Sequence, residues 1–289
     1  MIGYALTNAA VREGTEVYAV VRPDTGRKDR IVESSLVHPV FGSLESLSEI
    51  KDIPADCDAL YHFAWAGTDK ANRDNPKIQE KNIQYTLDAI ELAEKYGCHR
   101  FIGAGSQAEY GPKYDLIDEQ TKCDPVSSYG IAKYAAGKLS GILCERKGME
   151  HIWGRIFSVY GPHDNRGTMI DQAISSWNKG ETAFFSAAVQ MWNYLHETDA
   201  GEMFYRLGSE KIQSGTWLIA NDQSMVLRDY ITIMMDAYGA GAKAEFNEPG
   251  ADKVPGLNVN IQRTVDALSY SPKIDFKEGI AAVIKGFTI

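Results

Sequence analysis

Short apolar runs alternate along the chain with longer segments of helical spacing. The strand-like runs are EVYAVV (16–21), HPVFGSL (38–44), ALYHFAW (59–65), RFIGAGS (100–106) and HIWGRIFSVYG (151–161). The helix-like segments are 4–13, 77–96 and 127–148. Gly14 and Gly97 follow two of these segments, as glycines at helix ends commonly do.

The strand-like runs do not alternate between apolar and polar residues, so both faces of each strand are expected to be buried. Buried strands that alternate with helices are typical of a parallel sheet covered on both sides. The sequence therefore predicts an α/β fold with a doubly wound parallel sheet over residues 1–161. After about residue 162 the pattern loosens into mixed helices and short strands. We expect 162–289 to be mainly a smaller substrate-binding portion, with segments near 190–222 returning to the first domain.

The start of the chain departs from this alternation. A helix that leads into a buried strand of an α/β protein normally follows another strand. Here only Met1, Ile2 and Gly3 precede the predicted helix at 4–13. We therefore expect a sheet without its first strand and with an unfilled central position.

Composition and charge narrow the functional classes. The 289 residues suffice for a sizeable core, and 44% hydrophobic and 24% charged residues are ordinary for a globular protein. A formal net charge of −9 argues against nucleic acid or an anionic membrane as the main partner. The four cysteines lack metal-ligand spacing, which predicts reduced thiols, no metal site and a cytoplasmic location. No apolar run approaches the roughly 18 residues of a membrane span.

The densest chemical signal begins at the end of the run RFIGAGS. Tyr129 and Lys133 are four apart on a predicted helix, so their side chains share a face. A nearby ammonium favours the phenolate and brings tyrosine toward the pKa range of a general acid–base. Ser106, at the end of the strand, is placed to hydrogen-bond the same substrate oxygen. Tyr134 and Lys138 repeat the spacing, but only Tyr129 follows a Pro-Val-Ser-Ser entry.

With these residues, the chain resembles the extended short-chain dehydrogenase/reductase family, in its NAD(P)-dependent epimerase/dehydratase group acting on nucleotide sugars. The similarity runs from Gly3 to about Gly279, and several ordered matches are more specific than any one motif. The matching segments are HFAW (62–65), GSQAEYG (105–111), YGIAK (129–133), GRIFSVYGP (154–162), QMWNYLHETDA (190–200) and LSYSPKIDFKEGI (268–280). The opening MIGYAL is similar to the end of the family's Gly-rich turn, with Gly3 as its third glycine. The resemblance is thus to a Rossmann-like domain without its first strand and most of that loop.

The resemblance implies roles for particular residues. Tyr129 would be the catalytic acid/base, Lys133 would bind the nicotinamide ribose, and Ser106 would hold the reacting hydroxyl or ketone. The implied chemistry is hydride transfer between the nicotinamide and a sugar carbon, coupled to proton transfer through Tyr129. The implied cofactor-binding residues are Gly3, Arg22, Ser43, His62, Ala64 and Asn82, with Tyr129 and Lys133. The implied partners are a nucleotide-diphosphate sugar and a second copy of the chain, through the helices at 77–96 and 127–147.

Departures from the family pattern narrow the reaction. Family dehydratases carry Thr-Asp-Glu where this chain has Ser106, Gln107 and Ala108, and neither of the last two can move a proton. Glu109 is one residue further along, and if the strand continues, its side chain would face away from the side on which Ala108 lies. This favours reduction of a 4-keto sugar nucleotide, with 4-epimerisation by transient oxidation as the alternative. Gln107, Ser158 and Trp192 are the implied substrate-binding residues. Ser158 occupies a position where the family usually has Asn. Trp192 occupies a position where many members have Arg, and it either stacks on the substrate or is a core aromatic.

Cofactor choice follows from the end of the strand-like run at 16–21. NAD-specific sites place an acidic residue there, on the ribose 2′-hydroxyl, whereas this chain has Val21 followed by Arg22. The stretch is locally positive, with Arg22, Arg27, Lys28 and Arg30 against Asp24 and Asp29. This favours NADP over NAD, unless the stretch is only a solvated loop. Because most of the Gly-rich loop is missing, we expect weak dinucleotide binding or none, which keeps a non-catalytic binding protein as a further alternative.

Overall fold

The computed structural model describes residues 1–23, 25–26, 30–164, 167–250 and 253–287, which form an α/β fold. The helices are α1 (Ile2–Arg12), α2 (Pro76–Lys95), α3 (Ser128–Arg146), α4 (Met169–Asn178), α5 (Glu197–Ser209), α6 (Leu227–Tyr238), α7 (Gln262–Leu268) and α8 (Phe276–Phe287). The strands are β1 (Val17–Val21), β2 (Val37–Phe41), β3 (Ala59–His62), β4 (Arg100–Ser106), β5 (Glu150–Ile156), β6 (Ser158–Tyr160), β7 (Ala183–Phe185), β8 (Met191–Trp192), β9 (Tyr194–His196), β10 (Gly215–Ile219), β11 (Met225–Val226) and β12 (Ala244–Phe246). Short 3₁₀-helices lie at Leu44–Glu49 and Gln107–Glu109.

Two parallel sheets form the framework. The larger has the order β10-β5-β4-β3, and the smaller pairs β1 with β2. The register of the larger sheet sets His62 opposite Gly103 and Ser106 opposite Ile156, so the carboxyl ends of β3, β4 and β5 share one edge. The predicted parallel sheet is confirmed. Between β1 and β3 the described residues supply no strand other than β2.

Helices cover both faces of the larger sheet, as its apolar strands predicted. Every residue of β4 is buried. Phe101 and Ile102, adjacent in β4, enter different cores, because neighbouring side chains of a strand point to opposite faces. Phe101 joins the core with Ile90 of α2 and Cys144 of α3, whereas Ile102 joins the core with Phe204 of α5.

The run at 151–161 forms two strands rather than the single predicted one. β5 ends at Ile156, the backbone N–H of Phe157 donates to the carbonyl of Ile219 at 3.0 Å, and β6 then pairs with β9. The single-strand prediction is wrong because the apolar run continues through a change of pairing partner, which leaves no mark in the hydrophobic pattern.

A third core lies among α4, α6 and α8. It contains Ile174, Ile231 and Ile280, one from each helix. The ring centroid of Phe276 lies 4.9 Å from that of Tyr160 and 5.4 Å from that of Tyr194. Between α4 and α6 the chain returns to the larger sheet, because β10 pairs in parallel with β5. The predicted division at residues 161 and 162 stays a prediction.

Two predicted helix ends coincide with glycines in the left-handed region. Gly14 has φ 74° and Gly97 has φ 75°. At Gly97 a Cβ would also lie 2.4 Å from the carbonyl oxygen of Ala55. Glycine is required there both by backbone conformation and by the close approach of a loop.

Two further observations concern the thiols and the helices. Cys98 and Cys144 are buried, Cys57 and Cys123 are half-buried, and all four are free thiols. Among the described helices, none combines the length and the apolar character needed to cross a bilayer.

Candidate active site

The carboxyl end of β4 carries the first predicted site residue. Ser106 is the last residue of the strand and is 7% exposed. Its Oγ accepts a hydrogen bond from the backbone N of Ala108 at 3.2 Å, while its own N–H donates to Glu109 Oε1 at 2.8 Å. This reciprocal capping fixes the serine at the sheet edge.

α3 brings the predicted tyrosine and lysine to Ser106. A Cβ at Gly130 would lie 2.4 Å from the carbonyl oxygen of Ala108, so glycine lets the first turn approach the strand end. The Tyr129 side chain lies close enough to that of Ser106 for the serine to lower its pKa. Lys133 is buried, its Nζ donates to the carbonyl oxygen of Ala104 at 2.7 Å, and it lies 5.8 Å from the Tyr129 ring centroid. The three predicted catalytic side chains therefore meet.

The second Tyr-x-x-x-Lys pair lies farther along α3. Lys138 is exposed and Tyr134 is half-buried. The Lys138 ammonium lies 5.5 Å from the Tyr134 ring centroid. The pair has the same spacing without Ser106 beside it, so it serves as an internal control.

Burial shifts the pKa values of Tyr129 and Lys133. Arg73, which the sequence did not predict as a site residue, opposes the effect of burial on Tyr129. Burial raises the pKa of Tyr129, while the guanidinium of Arg73 and the side chain of Ser106 lower it. The Arg73 Cζ lies 4.2 Å from the Tyr129 ring centroid. Burial lowers the pKa of Lys133 to about 7, Glu109 opposing this and Arg73 adding to it. The sequence assigned the favourable cation to Lys133. That assignment stays a prediction, and the cation whose charge lowers the pKa of Tyr129 in the structure is Arg73.

Glu109 lies beneath the site rather than facing away on a strand. The backbone turns into a 3₁₀-helix at Gln107, which is why the strand expectation is wrong. The Glu109 carboxylate is 1% exposed and accepts from Arg155 Nε at 2.7 Å and from Trp153 Nε1 at 2.9 Å. With Ser106 N–H as a third donor, this carboxylate supports the strand end and is not an open acid.

Residues after β3 form the neighbouring wall. His62 is buried, and burial together with the charge of Lys133 lowers its pKa to about 3, so its ring is neutral. Its Nε2 has no hydrogen-bond partner within the described residues. Ala64 is exposed. Asn82 accepts from the N–H of Ala66 at 2.8 Å and donates to its carbonyl at 2.9 Å, so it clamps the loop that follows β3.

Trp65 covers Lys133. The Lys133 Nζ lies 3.6 Å from the Trp65 ring centroid, and the Tyr129 ring meets the indole edge-on at 6.1 Å. Trp65 Nε1 donates to Gln79 Oε1 at 2.8 Å, which orients the ring. The sequence marked Trp65 only as a departure from the family pattern, because it is the last residue of HFAW, where the family has alanine. Arg73 carried no comparable signal, and Arg155, the partner of Glu109, was marked only by its place in the matching segment GRIFSVYGP.

Three predicted cofactor residues lie around α1, β1 and β2. At Gly3, in the first turn of α1, an added Cβ would make only an ordinary 3.8 Å contact with Phe63, so packing does not require glycine there. Arg22 is exposed directly after β1. Ser43 follows β2, and its Oγ lies 3.1 Å from that of Ser46. Their cofactor contacts stay predictions.

Only part of the predicted basic stretch is described. Arg30 donates to the carbonyl oxygen of His163 at 2.8 Å, which is a structural contact. Asp24, Arg27, Lys28 and Asp29 lie outside the described residues.

The predicted substrate residues are spread over three elements. Gln107 is half-buried in the turn after Ser106, and Ser158 begins β6. Trp192 is half-buried against the core that contains Ile102 and against the core among α4, α6 and α8, with its ring centroid 6.4 Å from that of Tyr194. This packing is typical of a core aromatic, and a contact with substrate stays a prediction.

The site's donors and acceptors fit the nicotinamide end of NAD. The Lys133 ammonium and the Tyr129 hydroxyl suit a ribose, and His62 offers a buried ring nitrogen that lacks a partner among the described residues. The exposed Ala64 adds no bulk at the strand end. The amino terminus of α1, which begins at Ile2, supplies the positive end of a helix dipole for a pyrophosphate.

Comparison with known proteins identifies related sequences. The model of the NAD dependent epimerase/dehydratase family matches residues 1–220. UDP-glucuronic acid decarboxylase 1 of Arabidopsis thaliana is 23% identical over 99% of this chain and 67% of its own length. UDP-glucuronate 4-epimerase of Thermodesulfobacterium geofontis is 24% identical over 84% of this chain and 75% of its own length.

Solved structures share the fold over nearly the whole chain. UDP-glucuronic acid 4-epimerase from Bacillus cereus, in complex with NAD, superposes with a TM-score of 0.84 at 19% identity, covering 99% of this chain and 96% of that one. UDP-glucose 4-epimerase from Thermotoga maritima, with UDP-glucose, gives 0.84 at 18% identity, covering 100% and 96%. These likenesses confirm the predicted Rossmann-like fold.

Proposed function

The chain belongs to the NAD dependent epimerase/dehydratase family, and from that premise we propose that it is a nucleotide-sugar 4-epimerase. The observation that carries the proposal is the meeting of Ser106, Tyr129 and Lys133 at one sheet edge, where Lys133 Nζ lies 5.8 Å from the Tyr129 ring centroid. Gln107 and Ala108 supply no second acid or base for elimination of water. The epimerase names of several relatives support the same reaction.

The roles of the side chains follow from their contacts. Ser106 Oγ orients the reacting sugar hydroxyl, and Tyr129 takes its proton on oxidation and returns it on reduction. Arg73 opposes the effect of burial on Tyr129 and so favours the phenolate that accepts this proton. NAD, when bound, supplies the redox chemistry by taking up and giving back a hydride. Lys133 and His62 are the side chains that would hold its nicotinamide ribose.

NAD is the cofactor proposed, since several of the similar structures contain it. The preference for NADP expected from the sequence has no support from these structures. Its remaining basis is Arg22, which is exposed where a 2′-phosphate would be recognised. Titration with NAD and with NADP, for the wild type and Arg22→Ala, compares the two cofactors directly.

Turnover with catalytic cofactor separates the candidate functions. A 4-epimerase interconverts UDP-glucose or UDP-glucuronic acid and the 4-epimer with substoichiometric NAD. The keto-sugar reductase favoured by the sequence would instead consume one reduced cofactor per product. A non-catalytic binding protein would bind a dinucleotide or nucleotide sugar and convert neither.

Removal of one hydroxyl tests the catalytic assignment. Tyr129→Phe is expected to lower kcat by about 10²- to 10⁴-fold, because the acid–base group is lost while the ring remains. Tyr134→Phe is the matched control, since it belongs to the pair without Ser106, and it should keep wild-type turnover. Product formation is followed by chromatography of the two epimers. Equal activity of wild type and Tyr129→Phe would contradict the proposal.

A homodimer through α2 and α3 is part of the proposal. Three large apolar residues of α3 are exposed, with Ile131 at 53%, Leu139 at 44% and Ile142 at 50%. Their spacing places them on one stripe of the helix. An apolar stripe on a helix that packs beside α2 is suited to a second copy of the same helix pair.

A further inference from the structure

Arg73 is delivered to the active site by a loop with defined anchors. Asp74, its neighbour, accepts from the N–H of Ser128 at 3.0 Å through Oδ1 and from the Ser128 hydroxyl at 3.1 Å through its carbonyl. Ser128 is the first residue of α3, next to Tyr129. On the other side, Asn75 caps α2 through its side chain. These bonds tie the loop to both helices and hold Arg73 beside Tyr129.

The guanidinium of Arg73 has no carboxylate partner within the described residues. Its Cζ lies 4.2 Å from the Tyr129 ring centroid, and the residue is exposed. Within the described residues the guanidinium N–H groups have no hydrogen-bond acceptor, so they are available to a ligand. The planar guanidinium fork matches the two oxygens of a carboxylate.

We propose that Arg73 binds a carboxylate on the sugar of the substrate, so that the preferred substrate is a nucleotide-linked uronic acid. The inference rests on the proposed function, because Tyr129 must face the reacting sugar carbon. A cation beside Tyr129 therefore lies close to the substituents on the reacting carbon and on its neighbours in the sugar ring. The diphosphate is attached at the opposite end of the sugar, which argues against it as the group that Arg73 binds.

The surroundings of Arg73 suit an anionic sugar. Gln107 and Ala108, which follow Ser106, carry no charge, and the buried carboxylate of Glu109 is paired with Arg155. By itself, the net charge of −9 on the whole chain would disfavour a substrate with an additional negative charge. A preference for the more anionic substrate therefore requires a local cation.

Binding of two probes that differ only in this group tests the proposal. UDP-glucuronic acid and UDP-glucose share the nucleotide, the diphosphate and the ring hydroxyls, and only the first has a carboxylate. Dissociation constants are measured by calorimetry with NAD present, for the wild type, Arg73→Gln, Arg73→Lys and Arg146→Gln. Arg146 is an exposed arginine at the far end of α3 and controls for loss of surface charge.

The wild type is expected to bind UDP-glucuronic acid about 10-fold or more tightly than UDP-glucose, the size of a charge-assisted contact. Arg73→Gln should bring the ratio close to 1, Arg73→Lys should keep part of it, and Arg146→Gln should keep all of it. An equal loss for both probes would assign Arg73 to the diphosphate or to Tyr129 alone and overturn the proposal. So would a wild type without preference, or one that does not bind UDP-glucuronic acid.

Turnover is measured separately on the same proteins. An Arg73-dependent binding preference without epimerisation of either sugar would refute the proposed function and leave the carboxylate contact standing. Epimerisation with no dependence of the substrate preference on Arg73 would do the reverse. The two failures are therefore distinguishable.

Discussion

At the residue scale, Lys133 is a cation held where its charge is unfavourable. It is buried against Ala104 and Trp65, and burial lowers its pKa to about 7. In the unfolded chain the ammonium regains its ordinary pKa of about 10.4. Between these two values the unfolded state binds a proton that the folded state does not, so folding stability rises with pH in that window.

Lys133→Met removes the charge and keeps most of the side-chain length. Its advantage in unfolding free energy over the wild type should be largest below pH 7 and should shrink by a few kcal/mol toward pH 10. Urea unfolding of both proteins without cofactor, at pH values across this window, measures the difference. Lys138→Met, which replaces an exposed lysine of the same helix, is the control for the change of residue type. A constant difference for Lys133→Met would show that this lysine is not titrating in the folded state.

Glu109 and Arg155 form a pair in which neither partner reaches solvent. Their side chains are 1% and 6% exposed. Glu109→Gln leaves the guanidinium buried without a counter-charge, which is expected to cost about 3–5 kcal/mol of stability. The control is Glu94→Gln, because the pair of Glu94 with Lys147 is half-exposed and should contribute about 1 kcal/mol or less. Chemical denaturation measures both, and a loss for Glu109→Gln as small as the control would contradict the assignment.

The sequence could predict some site residues and not others for a physical reason. Tyr129 and Lys133 lie one helical turn apart, so local spacing is enough to bring them together. Arg73 and Tyr129 meet only because a loop is tied to the start of α3. Glu109, in the 3₁₀-helix after β4, meets Arg155 of the neighbouring strand β5. Contacts of this kind depend on tertiary packing, which no local pattern records.

At the element scale, α1 and α5 approach closely at a glycine. Gly201 of α5 is buried, and a Cβ there would lie 2.4 Å from the carbonyl carbon of Ala5 and 2.7 Å from its Cβ. Glycine inside a helix is normally unfavourable by about 1 kcal/mol relative to alanine. Here that cost is offset by the packing of one backbone on another.

Gly201→Ala should therefore destabilise the protein by about 1–3 kcal/mol, because two helix backbones must separate. At Gly286 of α8 an added Cβ would have no atom of the described residues within 4 Å, so Gly286→Ala should be neutral or stabilising by up to about 1 kcal/mol. Thermal unfolding of the two variants compares the two glycines. Stabilisation by Gly201→Ala would show that α1 and α5 are not in close contact.

Helices and strands were predictable where the sequence marked both the type of element and the residue at which it ends. α2 and β4 combine a clear periodicity or apolar run with a defined boundary, Gly97 in the first case and the Ser106 cap in the second. β5 and β6 lack a boundary signal, because Phe157 between them is itself buried. The hydrophobic pattern reports burial, and pairing partners have to come from the structure.

At the scale of the whole molecule, parallel strands set the position of the site. The carboxyl ends of β3 and β4 share an edge, which brings His62 and Ser106 to the amino-terminal turn of α3 with Tyr129. The parallel arrangement was predictable because the apolar runs alternate with helices. The strands β1 and β2 form a pair separate from the larger sheet, and such a pair depends on the helices around it for stability.

The proposed homodimer makes the last prediction. If the exposed stripe of α3 is covered by a second copy, replacing Leu139 and Ile142 together by lysine places charges in an apolar interface and should convert a dimer into a monomer. The folded chain should survive, because both side chains are exposed in one copy. Sedimentation equilibrium of wild type and variant at micromolar concentration measures the change. Phe184→Lys is the control, since Phe184 is 75% exposed in β7, away from α3, and its replacement should leave the dimer intact. A wild type that sediments as a monomer, or a double variant that remains a dimer, would place the interface elsewhere or remove it.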